Sequence, residues 1–185
     1  MITIAVCRDL YPSWKSTTKY LDSLDADIAI LPEGVLSSRG KTEWDIGDIA
    51  THTASRSITL VGSHDYDLLV VRKGKVEYHG KNPPPLQFTT ENGSVTGLVR
   101  ICAMSLTLSP HYDIKSDLLM IPSSIAFSFE DIIRKHAHNL AINALVLMST
   151  YELRNCWARK ITGEKTGEET AKNRGGYIKA NIGSR

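Results

Sequence analysis

The sequence predicts a layered α/β protein, and two observations carry that prediction. Short, uninterrupted Val/Ile/Leu-rich runs recur along the chain, most of them bounded by Asp, Gly, Ser or Pro, as buried strands are. Between several of these runs, apolar residues recur at helical spacing instead. Continuous rather than alternating apolarity points to sheets covered on both faces, and strands alternating with helices give a layered architecture.

The elements follow in order. Strand-like runs lie at Ile2–Val6, Ile28–Leu31, Ile58–Val61, Leu68–Val71, Val95–Cys102, Leu118–Ile121 and Ala144–Met148. Trp14–Leu24 carries Trp14, Thr18, Leu21 and Leu24 on one helical face, and Asp45–Ser57 carries Ile46, Ile49, Thr53 and Ala54. The clearest helix is Phe129–Ala141, opened by Ser128 and Asp131 in the pattern of a capping box. The middle of the chain, ITLVGSHDYDLLVVRKGKVEYHGK, reads as successive strands with turns at Gly62-Ser63-His64-Asp65 and at Lys73-Gly74-Lys75. Pro83, Pro84 and Pro85 then force an extended exposed loop, and Glu91–Ser94 makes another turn. Thr162–Gly176 is polar and glycine-containing and reads as a loop. No internal repeat is visible.

The 185 residues favour one domain, 1–185, with enough length for a sizeable core. Lys plus Arg number 22 and Asp plus Glu 20, a balance that gives no reason to expect nucleic acid as a partner. No apolar stretch approaches the roughly 18 residues of a membrane-spanning helix, so no membrane role is expected. Met1 leads straight into ITIAVC, which does not look like a signal peptide. Cys7, Cys102 and Cys156 are odd in number and widely spaced, with no CxxC. A disulfide framework or a structural zinc site is therefore not expected, and a reducing cytoplasm is the natural compartment.

Three short pieces carry chemistry: Glu33 in ILPEGV, Lys81 in YHGKNPPPL and Cys102 in GLVRICAMS. Glu33 and Cys102 end apolar runs and Lys81 follows a shorter one. A rigid sheet can hold a side chain still at such a position while leaving it reachable. Taken singly, each has a plainer reading. Glu33 after Pro32 can simply turn a strand, Lys81 can be an exposed loop lysine, and Cys102 can be a small core residue. His136 and His138 are two apart on a helix and so point to different faces, which argues against a ligand pair. His52, His64, His79 and His111 fall on predicted helix or loop positions, and GEKTG lacks phosphate-loop spacing. Trp14, Trp44 and Trp157 read as packing residues.

Taken together and in order, the motifs resemble the nitrilase superfamily of carbon–nitrogen hydrolases. ILPEGV resembles that family's Leu-Pro-Glu segment and matches its glutamate to Glu33. RKGKVEYHGKNPPPL resembles its Gly…Tyr-x-Lys-x-x-x-Leu strand and matches its lysine to Lys81. NGSVTGLVRIC resembles its Gly-x-Val-Gly-x-x-Ile-Cys strand and matches its nucleophile to Cys102. SDLLMIPSS, RKHAHNLAINALVLMST and GGYIKANIG are similar to later segments, with Asn139 where the family has a glutamate. The resemblance implies a four-layer α-β-β-α sandwich and a Glu-Lys-Cys hydrolase that uses no cofactor and no metal. Its substrate would be a small-molecule amide or nitrile, and the family's habit of pairing sheet against sheet makes a homodimer the expected assembly.

The roles that the resemblance implies follow from residue type. Cys102 attacks the substrate carbon, Glu33 moves the proton, and Lys81 faces the oxyanion, with the Ala103 amide as a second donor. Tyr78 would line the site if its strand does. The chain departs from the family pattern at Ala103 and Met104, where an aromatic residue and an acid usually follow the cysteine. The family's second glutamate has only Glu91, beside the turn residues Asn92-Gly93, to match it. The chain also reads as shortened at its C-terminus. These departures keep open a second reading: a degenerate nitrilase-like domain that serves as a binding or assembly subunit.

Overall fold

The computed structural model describes residues 1–7, 14–36, 46–64, 66–124, 127–141, 144–150, 157–161, 168–171 and 177–183. Trp44 and Cys156 lie outside the described residues. So do the side chains of Trp14, Ser128, Asp131 and Trp157, and with them the expected cap.

Continuous apolar runs form strands here because the two faces of each strand meet different layers. In β8 (Leu118–Ser123), which is buried throughout, Leu118 and Met120 join one apolar cluster while Leu119 and Ile121 join another. The period of two along a strand thus divides one run between two cores. The same division applies to β1 (Ile2–Cys7) and β2 (Ile28–Ile30). Ile2, Ile4, Val6, Ile28 and Ile30 face the sheet-to-sheet core, whereas Ala5, Cys7 and Ala29 face a helix layer.

Among the described residues there are two six-stranded sheets. The first runs β12-β1-β2-β3-β4-β5, adding β3 (Thr59–His64), β4 (Asp67–Arg72), β5 (Lys75–Gly80) and β12 (Tyr177–Ile182). The second runs β6-β7-β8-β9-β10-β11, with β6 (Leu86–Thr90), β7 (Gly93–Val99), β9 (Leu145–Thr150), β10 (Trp157–Ile161) and β11 (Glu168–Ala171). Residues from both sheets share the central core. Helices α1 (Trp14–Asp22) and α2 (Ile46–Thr53) cover the first sheet through Tyr20, Leu21 and Ile49. Helix α3 (Phe127–Leu140) covers the second through Ala137 and Leu140. The architecture is the expected four-layer α-β-β-α sandwich.

Local signals explain several junctions. Arg72 pairs with Lys75 across a two-residue loop in which Lys73 and Gly74 have φ of 46° and 78°. Positive φ at both loop residues is the hairpin geometry that matches strand twist, and glycine takes it without strain. The Gly74 N–H donates to Thr53 Oγ1 at 3.1 Å, tying the hairpin to the end of α2.

The structure corrects several sequence expectations. Strand β7 stops at Val99, so Cys102 is not on it. Thr162–Gly176 is not loop throughout, because Glu168–Ala171 pairs antiparallel with β10 as β11. Strands β6 and β10 lie in segments where no apolar run flagged a strand. Gly62, Ser63 and His64 continue β3 and pair with Leu69, Leu68 and Asp67 instead of turning the chain. His64 and His79 thus lie in β3 and β5 rather than in helix or loop, with ring centroids 5.9 Å apart. Pro83 is buried although Pro84 and Pro85 are exposed.

A repeat absent from the sequence reading is clear in the topology. Both sheets show the same order of pairings: antiparallel, parallel, parallel, antiparallel, antiparallel. Strands β1–β5 and β7–β11 each build one sheet, and the sixth strand of each half crosses over to edge the other half's sheet. The halves share bonding detail as well. The Thr3 N–H donates to Asp27 Oδ2 at 2.8 Å, and the Thr96 N–H donates to Asp117 Oδ2 at 3.4 Å. Residues 27–33 read Asp-Ile-Ala-Ile-Leu-Pro-Glu, and residues 117–123 read Asp-Leu-Leu-Met-Ile-Pro-Ser.

Candidate active site

In layered α/β sheets the carboxyl ends of parallel strands are where loops diverge and a crevice opens. Here the ends of β2 and β7 deliver Glu33 and the segment 100–104 to one cavity of about 410 Å³, in the range of small-molecule sites. Its polar lining includes Glu33, Tyr66, Lys81, Asn82, Arg100 and Cys102, and Leu68, Pro83, Val99, Ile101, Ala103 and Met104 supply apolar wall. Glu33, Lys81, Cys102 and Ala103, far apart in sequence, therefore share one cavity. Tyr78 does not line it: it packs against the central core, and its hydroxyl donates to the Lys81 carbonyl at 2.9 Å.

Glu33 sits in the turn after β2, half-buried. Its N–H donates to the Ser123 carbonyl at 3.2 Å, and the next amide, Gly34 N–H, donates to Ser63 Oγ at 2.9 Å. Its Oε2 accepts from Ser124 twice, from the backbone N–H at 3.2 Å and from Oγ at 2.9 Å. Two donors on one carboxylate oxygen fix its direction.

Cys102 opens a 3-10 turn, Cys102–Thr107, and has φ of 43°. That left-handed conformation is uncommon for a residue with a Cβ and costs on the order of 1–3 kcal/mol. The turn is held by the Ser105 hydroxyl donating to the Cys102 carbonyl at 2.8 Å and by a 3.0 Å contact between His136 Nε2 and the Ser105 carbonyl. The thiol is free and half-buried, and it donates to the Ser124 carbonyl at 3.8 Å. Ser124 thus touches both the acid and the thiol. Ala103 occupies the first turn, where N–H groups lack an intrahelical acceptor.

Lys81 follows β5 directly and is 76% exposed, with Asp67 Oδ1 4.0 Å from its ammonium. An ion pair this exposed holds a side chain weakly. The sheet therefore fixes the backbone at Lys81 and leaves the amine free to swing.

Among the described residues, the non-glycine positions with left-handed φ are Tyr66, Lys73, Asn82 and Cys102, and all but Lys73 line the cavity. Asparagine tolerates this conformation well, whereas Tyr66 and Cys102 have no such excuse. Strained backbone of this kind clusters at functional sites.

Sequence reasoning missed Ser124, Arg100, Tyr66 and Asn82. A signal existed for Ser124, in the Pro-Ser-Ser that follows an apolar run, and for Asn82, beside Lys81. Among the described residues, no group of three or more His, Cys, Asp or Glu is placed to hold a metal ion. No described helix is long and apolar enough to cross a membrane.

No protein-family model and no curated protein sequence matches the chain. Solved structures do. It is similar to a CN-hydrolase superfamily protein from Xanthomonas campestris that carries an arsenic adduct in its active site, with a TM-score of 0.71 and 13% identity over 98% of this chain and 90% of that one. It is also similar to a variant of an amidase of the nitrilase superfamily from Nesterenkonia AN1, with a TM-score of 0.67 and 12% identity over 98% and 90% of the two chains. Another variant of that amidase, showing Michael addition of acrylamide at its active-site cysteine, superposes with a TM-score of 0.64 and 12% identity over 99% and 94%. The two six-stranded sheets, their helical cover and these near full-length superpositions establish that the chain has the fold of the nitrilase, or CN-hydrolase, superfamily.

Proposed function

We propose that the chain is a thiol-dependent hydrolase of a non-peptide carbon–nitrogen bond, acting on an amide or nitrile through a Cys102 thioester. The observation that carries this reading is the meeting of Glu33, Lys81 and a strained, free Cys102 in one cavity, with Ser124 bonded to both the acid and the thiol.

For an amide, Cys102 Sγ adds to the carbonyl carbon as Glu33 takes the thiol proton. The oxyanion that forms accepts from the Ala103 N–H and from Lys81 Nζ, which swings in from solvent. Glu33 returns the proton to the nitrogen, the C–N bond breaks, and the amine leaves. Glu33 then deprotonates a water molecule that attacks the thioester. The acid is released and Sγ recovers a proton. A thiol with this task needs a reducing compartment such as the cytoplasm.

The test follows from compounds carried by the structural neighbours. A variant of the Nesterenkonia amidase with glutamine in place of one glutamate carries acrylamide, and the acetamide moiety of fluoroacetamide, at its active-site cysteine. Incubating this chain with each compound and mapping peptides by mass spectrometry should find the adduct on Cys102. A screen of short amides and nitriles should then find turnover that Cys102→Ser and Glu33→Gln abolish with near-native melting temperatures. Turnover that survives Glu33→Gln would refute the mechanism. An unreactive Cys102 would favour the second reading, a binding or assembly subunit, which the exposed Lys81 and the Met104 at the usual acid position support.

A further inference from the structure

The mechanism above employs Glu33, Lys81 and Cys102 and leaves the other cation of the cavity, Arg100, without a role. Arg100 is fixed at the end of β7, where its backbone N–H donates to the Met120 carbonyl at 3.0 Å. Its Nη1 donates to the Pro83 carbonyl at 2.8 Å and to the Val99 carbonyl at 2.7 Å. These bonds lay the guanidinium against the wall formed by Pro83. They also use only one corner of a planar group that carries five donors. Nε and Nη2 form the side-on fork that matches a carboxylate with two parallel bonds. Among the described residues none accepts from either nitrogen, and no carboxylate forms an ion pair with Arg100. Burial draws the guanidinium below its ordinary value, an effect that Asp113 opposes from a distance. The group stays charged, because arginine does not deprotonate in proteins.

A half-buried cation with an open fork, beside a nucleophile that needs no second cation, calls for an anion on the ligand. We infer that Arg100 is a specificity-determining residue that binds a carboxylate on the substrate, so that the preferred C–N substrate is a short amide carrying an acid at its other end. This inference rests on the hydrolase reading and extends it to a substrate class. The apolar wall of Leu68, Val99, Ile101 and Met104 suits the short methylene spacer between the two groups.

The experiment compares succinamate with butyramide, which match in length and differ in the terminal acid. The wild-type chain should prefer succinamate in kcat/KM. Arg100→Gln keeps a donor for the Pro83 carbonyl and removes the charge. It should collapse that preference at least tenfold, mainly through the KM for succinamate, as expected for loss of a charge-assisted hydrogen bond. An equal fall for both amides would reduce Arg100 to a clamp on the Pro83 loop and overturn the inference. If wild type turns over neither amide, the hydrolase reading fails for this class, but Arg100 is still testable by protection. Succinate should slow iodoacetamide labelling of Cys102 in wild type, and Arg100→Gln should raise the half-protecting concentration at least tenfold. No protection in wild type overturns the anion site. Should Arg100→Gln melt early, Arg100→Lys serves instead. It keeps the charge without the fork and should lose several-fold of the same preference or protection, whereas wild-type values would overturn the inference.

Discussion

Ser124→Ala removes one hydroxyl from the point where acid and thiol meet. In the wild type, Glu33 Oε2 accepts from Ser124 Oγ at 2.9 Å and from its backbone N–H at 3.2 Å. The substitution deletes the shorter bond and leaves the longer. A hydrogen bond to a charged group contributes about 1.5–3 kcal/mol net, and the half-exposed carboxylate places this one near the lower end of that range, at roughly 1–2 kcal/mol. If the bond serves to aim the carboxylate, most of the loss falls on the barrier, and a tenfold rate change corresponds to about 1.4 kcal/mol. kcat/KM for a short amide should therefore fall by roughly 5- to 30-fold, far less than in Glu33→Gln. The melting temperature should drop by no more than a few degrees, because about 1 kcal/mol shifts a chain of this size by roughly 2–4 °C. Steady-state kinetics and calorimetry on Ser124→Ala, with Glu33→Gln as the lower bound, decide the matter. Activity within twofold of wild type would show that Ser124 does not position the acid. A loss equal to that of Glu33→Gln would show that the hydroxyl takes part in the chemistry itself.

Gly97 faces the central core, and a Cβ there would lie 2.7 Å from Phe88 Cε2 and 3.0 Å from Met120 Cε. Gly97→Ala should cost roughly 1–3 kcal/mol through overpacking, with part recovered in the double variant with Phe88→Leu; a melting temperature equal to wild type would refute the packing. His52 is held below its ordinary value near 6.5 by burial first and by Arg56 second, against Asp22. The folded chain thus binds this proton less readily than the unfolded one, so stability is complete above about pH 6.5 and is lost as the pH falls below it. Thermal melts from pH 7.5 to 5.5 should show that decline and a shallower one in His52→Gln; parallel curves would refute it.

The layer plan was legible in the sequence because strands buried on both faces write themselves as unbroken apolar runs, as in residues 118–121. Edge strands leave no such mark. In β5 half or more of the residues face solvent, and the turn at Lys73-Gly74 made it legible rather than its apolarity, whereas β6 buries only Phe88 deeply and went unread. Strand β11, Glu-Glu-Thr-Ala, is polar along most of its length, and its pairing with β10 defines it more than its own composition does. Glu33, Lys81 and Cys102 were legible because their flanking residues form recognisable pieces. Tyr78 shares the core-side face of its sheet with Leu68 of the cavity wall, through its pairing with Val70, and its hydroxyl is taken up by the Lys81 carbonyl, a contact that no sequence pattern announces. The left-handed φ at Cys102 was invisible, since nothing in Arg-Ile-Cys-Ala-Met announces it. Arg100 was passed over because, read as part of a strand, it resembled any solvent-facing arginine.

The topological repeat explains why the site forms where it does. Corresponding strands β2 and β8 end side by side in space, and their loops are sewn together by the Glu33 N–H on the Ser123 carbonyl and by Ser124 on the Glu33 carboxylate. The register of the two segments puts Ser123 opposite Glu33, so this junction carries one carboxylate instead of two. A second acid there would repel the first, whereas serine backbone and hydroxyl donors hold it. The acid and the amine come from the first half of the chain, and the thiol, Arg100 and Ser124 come from the second. Neither half can build the cavity alone. The crossing strands β6 and β12 close each half onto the other's sheet, so assembly of the fold and assembly of the candidate catalytic group are one event. The sheet-to-sheet core beneath it, with Phe88 seated over Gly97 two strand positions before Val99 enters the cavity wall, carries the segments that bring Cys102 and Glu33 into one cavity.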